Sequence, residues 1–242
     1  MNRQKIILFA ALSVALVLAW NFRDRLGIAS GLARQKFVKY SVEDRLREFG
    51  DAARGRWSAH FQAAGVTNYP PQRLVFVALK QERMLEVYAG DAAKLHFIRR
   101  IPILAASGGP GPKLREGDRQ VPEGIYEIEL LNPNSAYHVS LRLNYPNAFD
   151  RTQAANDGRT QLGGDIMIHG RSVSVGCLAL GDEAAEDVFT LAADTGLTNI
   201  TVICSPADFR KSSALRPPPA APAWTAALYQ QIAAQFSALP TP

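Results

Sequence analysis

The chain has 242 residues, 47% of them hydrophobic, with 27 Lys and Arg against 22 Asp and Glu. That length suits one domain of moderate size plus appendages, with enough apolar content for a substantial core. The charge is uneven: residues 1–60 hold eleven basic and five acidic residues, and the remainder sixteen and seventeen. The basic pI of about 9.4 therefore comes from the front of the chain, which excludes a basic nucleic-acid face on the rest. Two cysteines and four histidines, without zinc-type spacing, give no metal site.

Arg3 and Lys5 precede the apolar run Ile6 to Trp20, the pattern of an export signal. The run is at the short limit for a membrane span. Residues 1–22 are expected to be an uncleaved signal anchor, with a cleaved signal peptide as the alternative. Either places the rest outside the cytoplasmic membrane. Residues 23–68 read as a basic stem followed by an amphipathic helix. Ser41-Val-Glu-Asp44 supplies a capping-box start, and Val42, Leu46, Phe49, Ala53, Trp57 and Phe61 recur at helical spacing.

Tyr69-Pro70-Pro71 ends that helix. Leu74 to Leu79 and Met84 to Ala89 read as a hairpin, and Leu95 to Leu104 as a third extended run. Residues 105–123 form a long loop rich in Gly, Pro and charge, without the Gly-Lys-Ser/Thr of a phosphate cradle. Gly124 to Leu131 alternates as a strand, Asn132-Pro-Asn-Ser135 reads as a turn, and Tyr137 to Leu143 as a strand carrying His138. An irregular stretch is expected from Tyr145 to Gly164. Ile200 to Cys204 is a final apolar strand, with Cys204 read as a buried thiol, its pairing with Cys177 left open. Residues 211–242 combine a proline-rich linker with a helix whose stripe is Trp224, Leu228, Ile232 and Phe236.

The most informative stretch runs from Asp165 to Leu180. Asp165 to Ile168 reads as a buried strand that ends at His169, where Gly170 allows a turn. Ser174 and Gly176 lead to Cys177, and Asp182 is positioned to cap a helix. The cysteine is thus expected beside the positive end of a helix dipole, which favours a thiolate. Gly176 would free backbone N–H groups for a substrate oxyanion.

His169-Gly170 followed by Ser174-Val-Gly-Cys177 resembles the signature of the L,D-transpeptidase catalytic domain, the YkuD family. The chain departs from the usual pattern: its spacer is short, Val175 stands where a second histidine is usual, and Ala179 replaces an Arg or Asn. Those departures resemble the YafK-like branch. So do Tyr69-Pro-Pro71, Gly117 to Gly124, Asn132 to Ser135 and Tyr145-Pro-Asn147. The resemblance implies a mainly β class, a curved sheet or barrel with a few flanking helices, occupying residues 69–210.

It also implies Cys177 as nucleophile, His169 as general base and Ser174 as a support for histidine or turn, with Gly176 and Gly170 shaping the oxyanion turn. Arg171, Tyr137, His138, Tyr145 and Asn147 are secondary candidates for substrate binding. The expected substrates are peptidoglycan stem peptides containing diaminopimelate, handled without cofactor. Transfer to an amine, hydrolysis and release of a wall-attached lipoprotein all stay open. A peptidase of ordinary L-peptides and a catalytically silent wall-binding module are the competing readings.

Overall fold

The computed structural model describes residues 39–211 and 216–242. The expected membrane segment at 1–22 and most of the basic stem lie outside the described residues. Among the described residues, no helix is long and apolar enough to cross a membrane.

The first helical segment begins as α1 (Val42–Arg45), passes through a π-helical turn (Leu46–Gly50) and continues as α2 (Asp51–Ala63). The Ser41 hydroxyl accepts the Asp44 N–H, and the Asp44 carboxylate accepts the Ser41 N–H, so the capping box forms as its spacing predicts. The stripe Phe49, Trp57 and Phe61 is buried.

Two mixed sheets follow. Sheet A has the order β3-β2-β1-β9-β4, from β1 (Arg73–Leu79), β2 (Met84–Gly90), β3 (Leu95–Pro102), β4 (Gly124–Tyr126) and β9 (Ile200–Ser205). Sheet B has the order β5-β6-β7-β8, from β5 (Ile128–Ser135), β6 (His138–Leu143), β7 (Met167–His169) and β8 (Leu178–Ala179). The sheets have free edges, so the barrel form of the expectation does not occur among the described residues. The expected strand Gly124 to Leu131 is split: its first part pairs with β9 and its second with β6. Asn132 to Ser135 continues β5 as an irregular strand, and the chain reverses at Ser135–His138 instead.

Sheet A is buried on both faces. Leu74, Phe76 and Ala78 point into the main core shared with Leu141, Ile168 and Leu178 of sheet B. Val75, Val77 and Leu79 point the other way, under α5 (Thr225–Ser237). That is why β1 reads as a continuous apolar run rather than an alternation. Helix α5 buries Leu228, Ile232 and Phe236 on this face, each worth roughly 1.5–3 kcal/mol. Helix α4 (Asp182–Thr195) packs against α2 and closes the core from the other side.

The stretch after Tyr145 is not wholly irregular: α3 spans Ala148–Asn156. Asn147 caps it, its side chain accepting the Asp150 N–H while Asp150 accepts the Asn147 N–H. The signal was an Asn followed three residues later by an acid, directly after a proline.

Candidate active site

Ladder pairing places the cysteine and the histidine. In the parallel pair β7–β8, Ile168 lies beside Leu178 and His169 beside Ala179. Ile168 and Leu178 face the core. His169, Ala179 and Met167 therefore share the opposite face, and Cys177, the residue just before β8, meets β7 at Met167. Continuing the register by one residue makes Cys177 a diagonal neighbour of His169, roughly 8 Å away on strand spacings. A substrate carbonyl and one proton transfer fit in that gap.

The thiol is held by backbone. Met167 N–H donates to Cys177 Sγ at 3.3 Å, and the thiol lies 3.5 Å from the Asp165 carbonyl. Burial pushes its pKa up; the Met167 N–H and the Lys113 charge oppose that, and Asp165 adds to it. The helix dipole is not what tunes this thiol. Strand β8 and two further residues separate Cys177 from α4, whose first residue, Asp182, turns its carboxylate to Arg171. The expected adjacency to a helix N-terminus is thereby corrected. Asp182 is also not the cap: Gly181 is, without a side-chain hydrogen bond.

His169 is buried, and its Nδ1 lies 2.6 Å from the Gly170 carbonyl. A carbonyl only accepts, so Nδ1 carries the proton and Nε2 keeps its lone pair. Burial lowers the imidazole pKa, partly offset by that hydrogen bond. The Tyr137 ring packs on the imidazole with centroids 4.6 Å apart. Gly170 matters through close approach: a Cβ there would lie 2.7 Å from both Asp182 Oδ1 and Tyr137 O.

The turn before the cysteine is tied down on both sides. Gly176 has φ +83°, a left-handed conformation suited to glycine. Its N–H donates to Ser107 Oγ at 2.6 Å, and the Cys177 N–H donates to Ser174 Oγ at 3.1 Å. Ser174 thus supports the turn and does not bond the histidine. Both N–H groups expected to face an oxyanion are engaged in this state. Ser107 belongs to the 105–123 loop and donates in turn to Arg119 O.

That loop walls the site, and buried charge sets its shape. Lys80 Nζ donates to Gly111 O, Val121 O and the Glu123 carboxylate. Asp118 accepts Leu114, Arg115 and Gln120 N–H groups and the Lys113 ammonium. Burial pushes the Asp118 carboxyl up, but Lys113 and these N–H groups outweigh it and leave it lowered. Residue 105 also bridges to Ala179, so the loop is stitched to the edge of sheet B just past the cysteine. Ser107 and Lys113 carried no distinguishing signal in the sequence, since a loop residue's partner forty or more positions away is not readable from spacing.

The secondary candidates separate. Tyr137 lies against His169, as described. Arg171 turns away, its Nη1 2.8 Å from Asp182 Oδ2. His138 Nε2 lies 2.8 Å from Glu186 Oε1 on α4, on the side facing Phe49. The Tyr145 side chain is buried, its hydroxyl 3.3 Å from Leu162 O and 3.5 Å from Lys113 O. It holds two walls together and presents no free group to a ligand. Asn147 is spent on capping α3 and on Ile125 O. Among the described residues, no three His, Cys, Asp or Glu side chains are grouped to hold a metal ion. A wide cleft of about 660 Å³ lined by Gln72, Arg73, Thr198 and Asn199 opens at the other end of β1 and β9, remote from this dyad.

YafK of Escherichia coli strain K12, whose L,D-transpeptidase name is itself provisional, is 35% identical over 112 residues. The match covers 46% of this chain and 43% of that protein, so the chain spans less than half the length of this curated relative. The helical cell shape determining protein Pgp2 from Campylobacter jejuni aligns with a TM-score of 0.48 at 24% identity, over 56% of this chain and 48% of that one. Bd1075 from Bdellovibrio bacteriovorus aligns with a TM-score of 0.41 at 19% identity, over 71% of this chain and 56% of that one. Residues 72–203, more than half the chain and including both Cys177 and His169, match the family model of the L,D-transpeptidase catalytic domain, and the chain belongs to that family, YkuD.

Proposed function

We propose that the protein is a cysteine acyltransferase of the bacterial cell wall, acting on peptidoglycan stem peptides outside the cytoplasmic membrane. What supports this reading is the pairing of β7 with β8, which brings the strand end at His169 beside the turn that carries Cys177, with the imidazole in the tautomer that leaves Nε2 free to accept a proton. Burial favours the neutral forms of both groups. The resting pair is thus thiol and imidazole, and the thiol is activated as substrate arrives.

His169 Nε2 takes the Cys177 proton while Sγ attacks the donor carbonyl carbon. The tetrahedral adduct collapses as the imidazolium returns that proton to the leaving amine, and a thioester stays on Cys177. An amine then attacks the thioester to give a crosslink, or water attacks to give a trimmed peptide. Either attack regenerates the thiol. For the Gly176 N–H to hold the oxyanion, the Ser107 hydroxyl must swing aside. Amine and water acceptors use the same thioester, so a wall-linked lipoprotein is a further substrate that this chemistry admits.

The test is digestion of purified sacculi with the purified full chain, followed by mass analysis of the muropeptides. New diaminopimelate-terminated peptides or new diaminopimelate crosslinks are expected. An unchanged muropeptide profile would favour a silent wall-binding module instead.

A further inference from the structure

The C-terminal segment takes no part in the reaction described above and lies outside the family match, which ends at residue 203. Its helix α5 buries Leu228, Ile232 and Phe236 on sheet A, which accounts for the apolar stripe. Two further residues of the segment, Trp224 and Tyr229, turn polar atoms toward the 105–123 loop and the 145–164 stretch.

Trp224 ties down the 145–164 stretch. Its Nε1 donates to Asp157 Oδ2 at 2.9 Å, just past the end of α3, and its ring meets Phe149 edge-on with centroids 5.8 Å apart. The Arg159 guanidinium lies 5.9 Å from the same ring, and its Nη1 donates to Leu114 O at 2.8 Å. The second contact joins this stretch to the 105–123 loop.

Tyr229 meets that loop directly. Its hydroxyl and Glu123 Oε2 are both buried without an aligned hydrogen-bond partner among the described residues, and they face each other beside Gly111. Glu123 Oε1 accepts the Gly111 N–H at 2.8 Å and Lys80 Nζ at 2.9 Å. Pro218 also approaches here, since a Cβ on Gly111 would lie 3.7 Å from its ring. From Gly111 the contacts run on to the cysteine turn. Gln120 Nε2 donates to Gly109 O and Gly111 O, and its Oε1 accepts the Gly109 N–H. A Cβ on Gly176 would lie 3.8 Å from Gln120 O, and Ser107 of the same loop accepts the Gly176 N–H.

We propose that the C-terminal segment is a brace for this loop, with Tyr229 and Trp224 as positioning residues that act through Gly111 and Asp157. The inference rests on the reading of Cys177 as the nucleophile. When the Ser107 hydroxyl swings aside, the space it leaves at the Gly176 N–H fits an oxyanion only if the loop backbone stays in place. Donors held in advance stabilise developing charge without reorganising, and a misplacement of about 1 Å costs on the order of 10²-fold in rate. Neither positioning residue touches the reacting atoms.

The experiment follows acylation of Cys177 in the full chain by intact mass, with a diaminopimelate tetrapeptide as donor. In parallel it follows alkylation of Cys177 by iodoacetamide, which needs no oxyanion site. Tyr229→Phe and Trp224→Phe keep an aromatic ring and remove the polar atom. Each is expected to lower the rate constant for acylation by at least about tenfold, with KM and the alkylation rate near wild type. Leu228→Ala is the control for packing. It should lower the melting temperature more than either ring variant, yet acylate as the wild type does at a temperature where all variants are folded. The brace is wrong if both ring variants, folded, acylate at the wild-type rate, or if Leu228→Ala slows acylation as much as they do. Alkylation slowed in step with acylation would also overturn it, by placing the effect on the thiol itself. A wild type that is alkylated at Cys177 but never acylated removes the nucleophile reading, and the brace falls with it.

Discussion

Cys204 and Cys177 are the two thiols of the chain, and their settings differ as those of a packing residue and of the proposed nucleophile do. Cys204 lies on β9 inside sheet A, flanked by β1 and β4, and is fully buried in the main core. Burial pushes its pKa up to about 12. Cys177 lies just before β8 at the edge of sheet B, outside that core and only partly covered. Its pKa is raised too, but a backbone N–H and a nearby ammonium oppose the rise. Neither thiol is ionised at neutral pH, so what distinguishes them is access and a base. His169 ends the strand that meets Cys177 at Met167, whereas Lys80 near Cys204 is already committed to Glu123 and two carbonyls.

The largest expected effect comes from exchanging the two thiols for alanine in turn. Cys177→Ala should abolish turnover while thermal unfolding stays close to wild type, since the sulfur sits at a surface edge. Cys204→Ala should keep turnover and lose about 1 kcal/mol of stability to the small cavity left behind. Activity and melting curves measured on both variants would break the comparison if the effects were reversed.

The next effect concerns the base. His169→Ala should slow acylation by roughly 10²- to 10⁴-fold. His138→Ala should acylate near normally, because its ring faces Glu186 rather than the cleft, and should cost about 1 kcal/mol of stability. Rates of acyl-enzyme formation at fixed pH separate the two. An acylation-dead His138→Ala beside a competent His169→Ala would reassign the base.

A smaller effect sharpens the charge state. Burial depresses the His169 pKa below its usual 6.5, so the imidazole stays a neutral base to lower pH than free histidine. The acid limb of acylation should then fall below pH 6.5. The same shift affects stability: His169's contribution is complete above 6.5 and is lost as pH falls through its folded pKa. A pH–rate profile with its acid limb above 6.5 would show the imidazole held in its charged form instead. Smaller again, Ser174→Ala should remove the acceptor for the Cys177 N–H and cost about 1 kcal/mol, read from the melting curve.

The proposed dyad was readable from the sequence because both members lie within one short stretch in which strand, glycine and cysteine follow in order. Most strands were legible too, as apolar runs between turn residues. The barrel alternative and the continuous strand from Gly124 were not resolved, because where a strand changes sheets depends on partners at a distance, here β9 and β6. The helix after Tyr145 was readable from Asn147 and Asp150, yet the surrounding Gly and Pro masked it. Ser107, which holds the Gly176 N–H, emerges only from the pairing of segments far apart in the chain. The helix dipole was misplaced for a local reason: Leu178 and Ala179, read as part of a turn, pair with β7 as a strand, so the cysteine sits at a strand start away from the helix N-terminus.

The most direct test of the account is to trap the intermediate. The full chain is mixed with a diaminopimelate tetrapeptide donor, quenched in acid and examined by intact and peptide mass. The account predicts a tripeptide acyl adduct, carried as a thioester on the peptide containing Cys177 and missing from Cys177→Ala. An adduct that persists in Cys177→Ala, or turnover by the wild type with no acyl-enzyme at any time point, would contradict it.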